Sequence, residues 1–278
     1  MFEVDNLIKL ALDEDIGIKD LTTASIISPG KEVTAKVIAN EDAVLSGLDI
    51  FYKVFTFLNS EVKFKKFYGD GDHIKKGDVI ANIICDAVDL LRGERVALNF
   101  MQRLSGIASL THMYVEKVKG YNTKVVDTRK TTPGWRSLEK YAVKMGGGMN
   151  HRSGLFDGVL IKDNHIRVCG GISQAVKKAR CNIPHIFKIE IEVKNLDELR
   201  EAIDSGVEVI MLDNMDIKEM EKAVQIVNKR TIIEASGGIN LDNIVDVAKT
   251  GVDIISVGAL THSARACDIS MDIVQKSS

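Results

Sequence analysis

Apolar residues follow two different rhythms along this chain, and the switch between them divides it. Within Asp5–Asp13, Leu7, Ile8, Leu10, Ala11 and Leu12 recur at helical spacing, predicting a short helix that covers a sheet edge. Residues 31–84 read as strands instead. KEVTAKVIA and AVLSG alternate or run apolar, and GDGDHIKKGDVIANI sets Gly-Asp turns around short apolar pieces. From Asp89 to Lys119 helical spacing returns through Leu90, Val96, Phe100, Leu104 and Ala108, predicting one long connecting helix with Gly106 as its irregular position. Strand-like apolar runs then begin near Lys124, Val159, Ile186, Val209, Thr231 and Asp253, spaced by 35, 27, 23, 22 and 22 residues. The intervals hold helix patterns such as LDELREAIDSG and LDNIVDVAKTG, with Gly206 and Gly251 as C-terminal stops. That succession describes βα units. The unbroken apolar character of VIML and IISV suits parallel strands buried on both faces. A TIM-like α/β barrel following a β-rich first domain is the predicted fold, with six strands assigned.

In such barrels chemistry gathers at the C-terminal ends of the strands. Those positions here are Asp127-Thr128-Arg129-Lys130, Lys162-Asp163-Asn164-His165, Glu190 and Glu192, Asp213-Asn214, Ser236-Gly237-Gly238, and Gly258-Ala259. The last two segments, in EASGGI and SVGALTHS, would turn backbone N–H groups toward a phosphate ahead of a helix. Glu192 and Asp213 could hold Mg²⁺ or ribose hydroxyls, since Mg²⁺ favours one or two carboxylates together with substrate phosphates. Each element alone has an ordinary structural reading. An arginine at a strand end is commonly an ion-pair partner, SGG is a common turn, GGG at Gly146–Gly148 could be a plain bend, and Glu190 or Glu192 could pair with Lys188 or Arg200. His73, His112 and His185 read as structural. Convergence on one end of one barrel favours a site.

Charge sharpens that picture. Arg129 to Arg167 carry eight Lys or Arg (Arg129, Lys130, Arg136, Lys140, Lys144, Arg152, Lys162, Arg167) against Glu139, Asp157 and Asp163, in a chain of net charge −2. An anionic small molecule is the expected partner. With 37 Lys+Arg against 39 Asp+Glu, no global basic field favours nucleic acid. The four cysteines, Cys85, Cys169, Cys181 and Cys267, show no CxxC pairing and no metal-ligand spacing with histidines, so they are expected to be reduced and mostly buried, in the cytoplasm. The N-terminus is acidic and amphipathic rather than a signal peptide, and no run of 18 apolar residues suggests a membrane span. The Gly-Asp hairpin is similar to those of lipoyl carriers, but the lysine that would carry the cofactor is missing.

Taken together, ERVALNFMQRLSGIA, DTRKTTPGWRSLEKYAVKMGGGMNHRSGLFDGVLIKDNH, IEIEV, IMLDNM, EASGGI and ISVGALTHS resemble the quinolinate phosphoribosyltransferase family, over about residues 5 to 275. The ordered TRKT, NHR and IKDNH segments make the resemblance specific. It implies a β-rich α/β sandwich domain over 1–108, including the start of the connecting helix, and an incomplete, seven-stranded TIM-like α/β barrel over 109–278. It also implies a homodimer or an assembly of dimers. By the same resemblance, quinolinate is held by Arg129, His151, Arg152 and Lys162, with Arg95 reaching in from a second subunit. Lys130 would face phosphoribosyl pyrophosphate, Glu192 and Asp213 its ribose and Mg²⁺, and Ser236, Gly237, Gly238, Gly258 and Ala259 its 5′-phosphate. The implied reaction is Mg²⁺-dependent phosphoribosyl transfer with decarboxylation, giving nicotinate mononucleotide, pyrophosphate and CO₂. A related transport-associated paralogue, an anion sensor and a nicotinate-specific transferase are the rivals. Trp135 departs from the family pattern, standing where an aliphatic residue is commoner.

Overall fold

The alternating EVTAKVIA of the N-terminal third forms β1 (Glu32–Ala39), with Ala35, Val37 and Ala39 buried and Lys36 exposed. The computed structural model describes residues 2–59 and 61–274. The chain divides into two compact units, one of residues 1–110, 133–147 and 264–278, the other of residues 111–132 and 148–263. In the first unit, α1 (Phe2–Ile16) and α2 (Leu21–Ile26) precede β1, followed by β2 (Ala43–Val44), α3 (Leu48–Leu58), β3 (Lys63–Lys66), β4 (His73–Ile74) and β5 (Val79–Asp86). The predicted N-terminal helix exists and is longer than expected, and the Asp5 carboxylate ties it to Lys53 on α3. Within the stretch read as strands, α3 is a correction. Leu48, Phe51, Val54 and Phe55 bury one helical stripe of LDIFYKVFTFL, and Asp70 accepts from the N–H groups of Gly47 and Leu48 at its start. Burying each phenylalanine is worth roughly 1.5–3 kcal/mol.

The long helix α4 runs Ala87–Lys117 without a break. Gly106 sits inside it for reasons of space, since a Cβ there would lie 1.9 Å from the Arg265 carbonyl oxygen. Trp135 finds its use in the same unit, stacked on Phe100 with ring centroids 4.6 Å apart.

In the second unit, β6 (Lys124–Val126) opens a parallel sheet; α5 (Arg136–Met145), next in sequence, belongs to the first unit. There follow β7 (Val159–Ile161), α6 (Asp163–Cys169), α7 (Ile172–Asn182), β8 (Ile189–Val193), α8 (Leu196–Asp204), β9 (Val209–Asp213), α9 (Ile217–Val227), β10 (Ile232–Ser236), α10 (Ile244–Lys249), β11 (Ile254–Ser256) and α11 (Ala259–His262). Among the described residues the sheet runs β6-β11-β10-β9-β8-β7, and a seventh segment contributes only a parallel bridge, Val126 to Met149. The barrel is therefore incomplete between that segment and β7. Gly206 and Gly251 follow α8 and α10 with φ of 71° and 90°, the left-handed stop that a Cβ would oppose.

The last strand, β12 (Ile269–Val274), leaves the barrel unit and pairs antiparallel with β1, giving the order β12-β1-β5-β3. The sequence boundary at residues 108 and 109 falls inside α4, and the first unit also contains 133–147 and the C-terminal strand. Of the cysteines, Cys85 and Cys267 are buried, whereas Cys169 is half-buried and Cys181 exposed; all four are free thiols. No helix among the described residues is long and apolar enough to cross a membrane.

Candidate active site

Register decides which side chains share the floor of the barrel unit. Glu192 lies opposite Met211, Glu234 opposite both Met211 and Ile254, and Ser236 opposite both Asp213 and Ser256. Leu160 lies opposite Glu190, so Lys162, two residues on, falls level with Glu192. Because side chains alternate along a strand, these residues point to one face. At the C-terminal strand ends Leu160, Lys162, Glu192, Met211, Asp213, Glu234, Ser236 and Ser256 line a cavity of about 350 Å³, with Thr128, Arg129, Lys130, His151, Arg152, Asn214, Gly237 and Gly238 completing its wall. Ten of the sequence-predicted residues thus meet: Arg129, Lys130, His151, Arg152, Lys162, Glu192, Asp213, Ser236, Gly237 and Gly238.

Three predicted residues do not line it. Gly258 lies behind Lys130, whose Cδ would be 3.0 Å from an added Cβ, and Ala259 follows it. Arg95 is exposed on α4, in the first unit. Of the charge cluster, Arg136, Lys140 and Lys144 lie on α5 in the first unit, with Lys140 buried, and Arg167 pairs with Asp163 on α6. None of these four lines the cavity.

The turn after β10 is built by close approach. Gly237 has φ of 95°, and a Cβ there would stand 2.3 Å from Asn214 Oδ1. Asn214, itself at φ 55°, donates its N–H to the Ser236 carbonyl at 2.9 Å, locking the turns after β9 and β10 together. Lys130 is held through its carbonyl, which accepts from Thr261 Oγ1 at 2.8 Å.

On the opposite wall, Arg152 donates through Nη1 to the Gly158 carbonyl at 3.0 Å. Burial lowers its pKa, and the neighbouring Arg129 guanidinium lowers it further. Two like charges crowded in a half-buried wall are a receptor for an anion. Lys162 Nζ meets Glu192 Oε2 at 2.7 Å.

His151 is seated from three sides. Its N–H donates to Asp127 Oδ1 at 2.9 Å, its Nδ1 accepts the Arg152 N–H at 2.8 Å, and its Nε2 lies 3.0 Å from Glu190 Oε2 and 3.7 Å from Glu234 Oε2. Burial, then the nearby Glu190 charge, pushes Glu234 up to about 7, with His151 opposing. Glu234 escaped the sequence reading because it sits inside the apolar strand IIEAS; its spacing of two from Ser236 was the available signal. Glu190, there an ion-pair candidate for Lys188 or Arg200, instead meets His151.

His151, Glu190 and Glu234 offer ligand atoms within 4.8 Å of one another. The tautomer argues against a cation there. A backbone N–H can only donate, so Nδ1 is the lone-pair nitrogen and the ring proton sits on Nε2, which then cannot ligate. Glu192 and Asp213, on neighbouring strands and in the cavity wall, fit Mg²⁺ better: both are oxygen donors, and Asp213 is oriented by the Asn214 amide at 2.9 Å.

A larger, open concavity of 1370 Å³ lies at the other ends of the same strands, lined by Lys188, Glu208, Arg230 and Asp253 among others. Mixed charge and connecting turns line it, and it contains none of the predicted residues.

Two family models match consecutive parts of the chain: quinolinate phosphoribosyl transferase, N-terminal domain, over residues 20–105, and quinolinate phosphoribosyl transferase, C-terminal domain, over residues 107–272. The chain belongs to the quinolinate phosphoribosyltransferase family. The two family models meet inside α4. Among relatives, the probable carboxylating nicotinate-nucleotide pyrophosphorylase of Bacillus subtilis is 46% identical over 260 residues, 94% of this chain and 90% of that protein. A mitochondrial decarboxylating quinolinate phosphoribosyltransferase of Nicotiana tabacum is 37% identical, over 98% of this chain and 82% of its own. The crystal structure of NadC from Streptococcus pyogenes superposes with a TM-score of 0.95 at 42% identity, covering 98% of this chain and 97% of that one.

Proposed function

We propose that this chain transfers phosphoribose from phosphoribosyl pyrophosphate to quinolinate with loss of CO₂, forming nicotinate mononucleotide and pyrophosphate for NAD biosynthesis. The observation that carries the reading is Arg129 beside Arg152 in the cavity wall, where burial and then the Arg129 guanidinium raise the cost of the Arg152 charge. A dianion placed there offsets that cost. With Lys162 and Lys130 in the same wall, two carboxylates find more partners than one would need. Family membership supports the same substrate.

The wall divides by charge. Arg129, Arg152 and Lys162 orient the pyridine dicarboxylate; Glu192 and Asp213 accept from ribose hydroxyls; the Ser236-Gly237-Gly238 turn receives the 5′-phosphate. Fixed cations overcome the repulsion that separates a dicarboxylate from a polyphosphate in water, so the ring nitrogen approaches the anomeric carbon as part of one assembly. As the anomeric C–O bond breaks, the ribose becomes oxocarbenium-like and Lys130 steadies the leaving pyrophosphate. Glu192 and Asp213 would hold Mg²⁺, which when bound neutralises pyrophosphate oxygens. The alkylated ring nitrogen then stabilises the electron pair left when the 2-carboxylate departs. His151 serves as a seat for Arg152 rather than as a cation, because its Nδ1 is occupied. We assign the working unit as a homodimer in the cytoplasm, with Arg95 reaching the site from the second copy; its exposure on α4 and the free thiols support these assignments.

The test is release of labelled CO₂ from carboxyl-labelled quinolinate, with nicotinate as the parallel substrate. CO₂ and nucleotide that require phosphoribosyl pyrophosphate and Mg²⁺, with no product from nicotinate, are expected. Quinolinate binding without turnover would reject the reading in favour of a sensor.

A further inference from the structure

Decarboxylation leaves an electron pair on the ring carbon, and that carbon must gain a proton before nicotinate mononucleotide exists. Few groups in the cavity can supply one. Guanidinium groups do not give up protons in proteins, which removes Arg129 and Arg152. Lys162 is tied to Glu192, Lys130 is taken up by the leaving pyrophosphate on the proposed reading, and the single ring proton of His151 points at Glu190. Glu234 stands apart. Its side chain is 2% exposed, yet it belongs to the cavity lining, and its Oε1 is buried with no hydrogen-bond partner. Two carboxylates flank one Nε2–H, and the proton serves Glu190 at 3.0 Å while Glu234 is left at 3.7 Å. Two buried carboxylates this close do not both ionise readily, so the less well served one keeps its proton.

We propose that Glu234 is the acid that protonates the ring carbon vacated by CO₂. This rests on the reading of the site as one for decarboxylating phosphoribosyl transfer. The bond from that carbon to the carboxylate breaks, CO₂ leaves, and the electron pair stays on the carbon beside the positive ring nitrogen. The Glu234 O–H bond breaks, a C–H bond forms, and Glu234 becomes a carboxylate. Solvent returns its proton once product leaves. The groups facing Glu234 set when it is ready: Glu190 on β8 raises its pKa, while His151, Ser256 on β11 and Lys162 after β7 oppose.

The experiment is single-turnover formation of nicotinate mononucleotide by the full chain with quinolinate, phosphoribosyl pyrophosphate and Mg²⁺, across pH, for wild type, Glu234→Gln and Glu234→Asp. Wild type should lose rate as pH rises, because the donor proton is lost. Glu234→Gln should be slower by about 10²–10⁴-fold, with no such alkaline decline and with quinolinate affinity within about threefold of wild type. Glu234→Asp should regain part of the rate and the decline. A merely structural role would instead lower affinity and thermal stability together and leave the profile unchanged. A wild-type rate that is flat from about pH 6 to about 9 overturns the proposal even if Glu234→Gln does not fold, as does Glu234→Gln at near wild-type rate. Wild type that releases no CO₂ from quinolinate rejects the underlying function instead.

Discussion

Lys162 Nζ lies 2.7 Å from Glu192 Oε2, so a cation assigned to the pyridine dicarboxylate and an acid assigned to the ribose hold each other across two strand ends. The pair follows from register, because Leu160 opposite Glu190 brings Lys162 level with Glu192. On the proposed assignments, each substrate would meet a wall already tuned by the other's binding group.

Removing either partner separates the two roles. Lys162→Ala is expected to raise KM for quinolinate by about tenfold or more, whereas Glu192→Gln should leave it within about threefold and raise KM for phosphoribosyl pyrophosphate. Steady-state kinetics with each substrate varied makes the comparison. Equal effects of both variants on quinolinate would reject the division.

Arg152 combines a half-buried guanidinium with a hydrogen bond to the Gly158 carbonyl. Arg152→Ala should lose about 2–4 kcal/mol of transition-state stabilisation, read as kcat/KM for quinolinate. Arg152→Lys should not restore it, because an ammonium lacks the planar fork. An unchanged kcat/KM would remove Arg152 from the site.

If Arg95 acts from a second copy, an Arg95→Ala chain and a Lys162→Ala chain, each impaired alone at low quinolinate, should recover part of the lost activity when mixed and refolded together. Confirmed mixed dimers without recovered activity would place Arg95 outside the reaction.

Gly106 faces the Arg265 carbonyl oxygen, which an added Cβ would meet at 1.9 Å. Gly106→Ala should destabilise the full chain by about 1–3 kcal/mol or more through forced separation of α4 from that backbone. A thermal midpoint equal to wild type would show that the segment gives way freely.

Glu41 accepts from Arg265 Nη1 at 2.9 Å and from the Asp268 N–H at 2.8 Å. The Arg265 hydrogen bond holds its carboxyl below the usual glutamate value, against the effect of burial. Its contribution to stability is therefore fully present above the unfolded-state pKa and is lost as pH falls through the folded one. Glu41→Gln should unfold more readily than wild type at neutral pH, and the difference should shrink in acid. A constant difference in denaturant midpoint across that range would refute the linkage.

The sequence by itself determined the barrel's strands and the chemistry at their ends. Period-two and near-continuous apolar runs located β6 to β11 within a few residues, the polar ends of those runs already named Arg129, Lys162, Glu192 and Asp213, and the charge cluster and NHR segment named Arg152. Those signals are local, carried by neighbours along the chain. Only the tertiary structure decided the rest. It paired β12 with β1 across more than 200 residues, reduced a seventh barrel segment to a bridge at Met149, and placed Arg136, Lys140 and Lys144 on α5 in the first unit. It also seated His151 between Arg152, Glu190 and Glu234, and brought the strand-buried Glu234 close enough to Glu190 that burial and that neighbouring charge raise its pKa. The physical reason is that protonation and pairing depend on burial and on charges brought close by distant strands, and a one-dimensional pattern carries neither.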